Sequence, residues 1–217
     1  MVRGKTSLLK SPSAKDVFLN FPFDIEYEPL LYALVCSLAC MGKTPRCAKE
    51  TAETGMSRLD EKIFNLASTC AFSIHDLSRM CDRKGFPRNN MPFELGLVYA
   101  IKSASRKKYQ IFILEGRVRQ TQKTLSDLNG YDPKAHYNSP NLLIDIVVDW
   151  FHSVPSNYSL PTPDKVKRFY RSFIRTSLPT LRREWGKKIN FKSLVRTVAA
   201  LASLRAEIKG VFPKKNR

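Results

Sequence analysis

Short apolar runs and helix-length runs take turns along residues 16–154, and this alternation limits the possible folds more than any other feature. "DVFLNF" (16–21) is β-branched and aromatic and predicts a buried strand. "YEPLLYALVCSLACMG" (27–42) has Pro29 near its start and Gly42 at its end, the asymmetry of a helix. "KTPRCAKE" (43–50) predicts a second, weaker strand. "MSRLDEKIFNLASTC" (56–70) puts Leu59, Ile63 and Leu66 on one face, as an amphipathic helix does. "CAFSIHDLS" (70–78) reads as a third strand running into polar residues, 91–105 as a third helix, and "YQIFILE" (109–115) as the clearest strand. A variable loop region follows. "SPNLLIDIVVDWFHSV" (139–154) then predicts a helix with Ser139 as N-cap and Pro140 in its first turn.

Strands that alternate with helices argue for the α/β class, with a parallel sheet of four to five strands covered on both faces. Right-handed crossovers prune the topologies. The common outcome is the flavodoxin-like order 2-1-3-4-5, with ligands bound between strands 1 and 3 at their carboxyl ends.

Charge divides the chain in two. The net charge is +18, and residues 155–217 hold 16 Lys and Arg against 3 Asp and Glu. "PSNYSLPTP" (155–163) is rich in Pro and Ser and reads as a linker. The sequence therefore predicts a basic arm (1–15), an α/β domain (16–154), the linker, and a basic helical extension (164–217), with helices near 164–185 and 190–209 and a frayed "PKKNR" end. On this division a fragment ending near residue 154 folds by itself.

No apolar run reaches the roughly 18–20 residues of a membrane span, and the first residues lack the apolar core of a secretory signal. Five cysteines without a C-x-x-C pair suit a reducing, cytoplasmic setting. Cys70, His75 and Cys81 match no standard zinc spacing, so no metal is expected. "GKT" (42–44) imitates the end of a phosphate-binding loop, but position 37 is Ser where that loop needs Gly, and the segment follows a helix.

Three stretches converge on the carboxyl edge of such a sheet. "NFPFD" supplies Asn20, Phe21 and Asp24. "SIHDLSR" supplies His75, Asp76, Ser78 and Arg79. The start of the third helix supplies Asn90 and Glu94. Each has a plainer reading. Asp76 can cap the following turn, Phe21 and Phe23 can be core, and Glu94 can answer its helix dipole. The dipole explains an exposed acid better than one set among Met91, Phe93, Leu95 and Leu97.

"DVFLNF" resembles the first box of Toll/interleukin-1 receptor (TIR) domains. "MPFELGLVYAI" resembles the segment that carries the catalytic glutamate of nucleoside 2-deoxyribosyltransferases. The arrangement "FLNFPFD … SIHDLSR … MPFELG" is similar to a group of bacterial TIR-like proteins. The resemblance spans 16 to about 152 and lacks the R-D-x-x-P-G loop of the second TIR box, which argues against a eukaryotic-type signalling adaptor. It implies a flavodoxin-like fold in a bacterial cytoplasm, a role as a defence effector, and cleavage of an N-glycosidic bond in NAD, a nucleotide or a nucleoside. Glu94 would be the catalytic acid. Asn20, Phe21, Asp24, His75, Asp76, Ser78 and Asn90 would bind substrate, with a phenylalanine against the base and Asp76 on the ribose hydroxyls. NAD would enter as substrate, and no cofactor is implied.

Two other functions remain open. The crevice can sense a nucleotide without turning it over. Alternatively, the domain can be a self-associating scaffold whose 164–217 extension binds nucleic acid through its cations. Phe169, Tyr170, Phe173, Trp185 and Phe191 would then be stacking platforms, or else they pack the extension onto the domain or a second copy.

Overall fold

The structure is a computed structural model that describes residues 12–50, 62–82, 84–104, 109–128, 130–156, 159–186 and 188–205. Most of the expected basic arm, the first half of the helix expected at 56–70 and the "PKKNR" end lie outside the described residues.

Five parallel strands form one sheet in the order β2-β1-β3-β4-β5. They are β1 (Ser13–Asn20), β2 (Thr44–Arg46), β3 (Cys70–Asp76), β4 (Gln110–Glu115) and β5 (Lys134–Ala135). This is the flavodoxin-like arrangement expected from the alternation. The strand order reverses beside β1, so the β1 and β3 carboxyl ends flank the switch point. β5 falls in the stretch read as loop, because two residues carry no period-two signal.

The buried end of β1 alternates between two apolar clusters. Val17 and Leu19 face α1 (Glu28–Cys40) and α4 (Pro140–Ser153). Phe18 faces the opposite side with α2 (Asn65–Ser68) and α3 (Asn90–Ala104). Helix α1 ends at Gly42, whose φ of 68° is the left-handed stop that glycine adopts without strain. The segment "GKT" is thus a helix terminus.

Helix α1 is buried nearly all round, from Leu30 and from Tyr32 to Cys40. A helix in the outer layer of an α/β sandwich keeps a polar face; α1 has none because the basic extension covers it. The extension forms α5 (Pro163–Ser172), a wide turn at Phe173–Ser177, α6 (Leu178–Trp185) and α7 (Phe191–Leu204). Pro179 has no N–H to give to the preceding turn, which accounts for widening at that point. Val166, Phe169, Phe173, Leu178, Leu181, Phe191, Leu194, Val198 and Ala202 join the α1–α4 core. The Pro-rich segment is a linker in sequence only. The extension thus shares one core with the α/β domain, on which the sequence division set a boundary at residue 154.

Three of the five aromatics considered for stacking are core: Phe169, Phe173 and Phe191. The cations stay outside, among them Arg168, Arg171, Arg175, Arg183, Lys192 and Arg196. All five cysteines are free thiols; four are buried, and Cys81 is exposed. Among the described residues no helix is long and apolar enough to cross a membrane.

Candidate functional site

The pleat of β3 splits the predicted constellation. Successive strand residues point to opposite faces, so His75 turns toward α3 while Asp76 turns toward α1. On the α3 side, Asn20 ends β1 in register with His75, the last residue but one of β3. The Asn20 amide donates to the Met91 carbonyl oxygen at 2.8 Å and meets His75 Nδ1 at 3.2 Å. With Nδ1 accepting, the His75 proton sits on Nε2, which is buried without a partner. Burial pushes the His75 pKa down to about 3, so the ring is neutral. Glu94 is only 6% exposed. It lies three residues beyond Met91, in the first turns of α3. Asn20 and His75 are thus brought together beside the start of α3, the helix that carries the buried Glu94, and Asn90 is exposed at that helix start.

Asp76, on the other side, is sealed from solvent. Tyr27 Oη donates to its Oδ2, His136 Nε2 lies 3.1 Å from the same oxygen, and the Ser78 N–H donates to Oδ1 at 2.9 Å. Burial works to raise its pKa, yet the His136, Ser78 and Tyr27 contacts outweigh burial and hold it below the usual carboxylate value. His136 Nδ1 accepts from the Asn138 N–H at 3.0 Å, which leaves the proton on the nitrogen facing Asp76. The sequence reading missed His136. It follows the two-residue β5 in a stretch without periodicity, and only its being a lone imidazole between strand and helix marks it. The oxygens of Asp76 already hold three partners, so the acid locks the sheet edge.

Two loops close over the β1–β3 edge. Asp24 caps the turn through the Tyr27 N–H at 3.0 Å, and its Oδ2 lies 2.9 Å from Arg88 Nη1 and 3.1 Å from Arg79 Nε. Arg79 also pairs with Glu26. These ion pairs tie the loop after β1 to the loop after β3. Ser78 is half-buried and its hydroxyl has no partner. Phe21 is core, stacked between Tyr27 and Phe191, whereas Phe23 stays 41% exposed.

A buried carboxylate such as Glu94 can stabilise a developing positive charge in a place that water reaches poorly. Among the described residues no group of three or more His, Cys, Asp or Glu side chains is placed to hold a metal ion, and Cys70, His75 and Cys81 form no such group.

His75 makes acid stability testable. Its folded pKa is depressed, so below about 6.5 the unfolded chain takes up a proton that the folded chain refuses until about 3. Stability therefore falls with pH across that window, by up to about 1.4 kcal/mol per pH unit. Asp76 adds in the same direction below its ordinary 3.8. Urea midpoints measured from pH 7 to 4 should decline, and His75→Gln should flatten the slope. An equal slope in the variant would show that His75 is not the group responsible.

No family model, no curated protein and no solved structure matches the chain.

Proposed function

We propose that the Glu94 crevice cleaves an N-glycosidic bond of a nucleotide or nucleoside, with NAD as the leading candidate substrate, in the manner of the TIR-like and deoxyribosyltransferase-like enzymes that the sequence resembles. One observation carries the reading: an acid only 6% exposed in the first turns of α3, the helix whose Met91 carbonyl takes the Asn20 amide at the switch point of the sheet.

The chemistry follows from the groups present. The bond from the anomeric carbon to the base nitrogen breaks, the electron pair leaves with the base, and positive charge spreads over the ribose. Glu94 stabilises that cation, or forms an ester with it that water then cleaves to restore the carboxylate. Water supplies the hydroxyl that ends on the sugar. Its other proton goes to solvent when nicotinamide leaves, or to the departing base of an uncharged nucleoside. Asn20 holds the His75 ring and the start of α3 in place.

Purified full-length chain should release free base from NAD or from a member of a nucleoside and nucleotide panel, measured by chromatography. If no compound in the panel loses its base, the proposal fails. Saturable binding without turnover would instead assign a nucleotide sensor.

A further inference from the structure

A second cavity, of about 800 Å³, opens between the β1–α1 loop and the turn that joins α6 to α7. Phe23, Tyr32, Lys49, Trp185, Lys188 and Phe191 are among its walls, and Glu94 is not. This volume is in the range of small-molecule sites. Only the fold's fourth layer makes it a cavity, since Trp185, Lys188 and Phe191 all come from the basic extension.

Its charge is lopsided. Two carboxylates line it, and both are answered: Asp24 by Arg79 and Arg88, and Glu28 by Arg182 and the Tyr32 hydroxyl. Lys49 and Lys188 have no ion-pair partner among the described residues. Lys49 is exposed, and its Nζ sits 4.3 Å from the centre of the Phe23 ring. The first turns of α1 and α7 also line the cavity, and the positive end of a helix dipole favours an anion. Trp185 is 47% exposed and stacks on no aromatic among the described residues. The only other tryptophan, Trp150, is stacked on Phe112 at 4.5 Å.

We propose that this cavity is a ligand site for a planar aromatic anion, with the ring against Trp185 and the anionic group between Lys49 and Lys188. The site is separate from the Glu94 crevice and does not depend on its chemistry. It joins the loop after β1 to the basic extension, so a bound ligand would brace the two against each other.

The probes are AMP (ring and phosphate), 2-naphthoate (ring and carboxylate), adenosine and inorganic phosphate, added to the full-length chain. Trp185 fluorescence and calorimetry read binding. AMP or 2-naphthoate should quench the fluorescence saturably, and the stronger of the two identifies the anionic group. Adenosine and phosphate alone should bind about tenfold more weakly or worse. The double variant Lys49→Ala, Lys188→Ala should weaken the preferred anion by about tenfold or more with an unchanged circular dichroism spectrum. Trp185→Leu should lose the quench and weaken the calorimetric signal. Glu94→Gln should bind as the wild type does. Absence of saturable binding by both ring anions, unchanged affinity in the double lysine variant, or loss of binding in Glu94→Gln would each overturn the proposal.

Discussion

Glu94→Gln is expected to lower the rate of base release by about two orders of magnitude or more, equivalent to roughly 2.7 kcal/mol of transition-state stabilisation. The substitution keeps the shape of the side chain and removes its charge. A carboxylate that faces a cationic sugar interacts with the transition state far more strongly than with the neutral ground state. Substrate affinity and thermal stability should therefore change much less than the rate. A glutamate that merely answers the dipole of α3 gives a different pattern: full activity and a stability loss of about 0.3–1 kcal/mol. Steady-state kinetics with a thermal melt of both proteins separates the two. Full activity in the variant would end the catalytic assignment.

The second large effect is on stability. A chain truncated at residue 154 is expected not to fold cooperatively, despite the Pro-rich linker that follows. Truncation removes the nine side chains from Val166 to Ala202 that join the α1–α4 core and bares the outer face of α1. Burying one large apolar side chain contributes about 1.5–3 kcal/mol, and a whole domain is stable by only about 5–15 kcal/mol. Losing several such contacts exceeds that margin. The fragment should bind a hydrophobic dye and melt without a sharp transition. In the full chain Phe169→Ala should cost about 3–5 kcal/mol, as large-to-small core changes do. A fragment with a sharp melt and no dye binding would restore the two-unit reading.

Strand order was legible because it depends on alternation and handedness, which are properties of long segments. The site was legible in part. The meeting of Asn20 with His75 and with the start of α3 follows from the topology, since the ends of neighbouring strands meet the start of the next helix. The separation of His75 from Asp76 was also implicit in strand periodicity, but treating the adjacent pair as one motif hid it. The Asp24 ion pairs, which reach Arg79 and Arg88 across two loops, depend on loop geometry that no local pattern encodes. His136 was hidden for the same reason. The fourth layer did leave a trace: "LLYALVCSLAC" has no polar face, and a helix without one needs cover on every side.

That cover gives α1 a built-in reporter. Cys36 and Cys40 are one turn apart on the buried helix. Cys36 lies within electrostatic reach of Tyr170 on α5, and Cys40 of Arg205 just past α7. Both sulfurs therefore sit at the seam between α1 and the basic extension. Burial pushes the Cys40 thiol up to about 12 and Cys36 well above its ordinary value, so neither offers a thiolate while the seam is shut. Alkylation at those two positions requires the extension to lift away. With Cys81 blocked beforehand, the rate of labelling clocks how often the outer helices detach, and so gives the free energy of that partial opening apart from global unfolding.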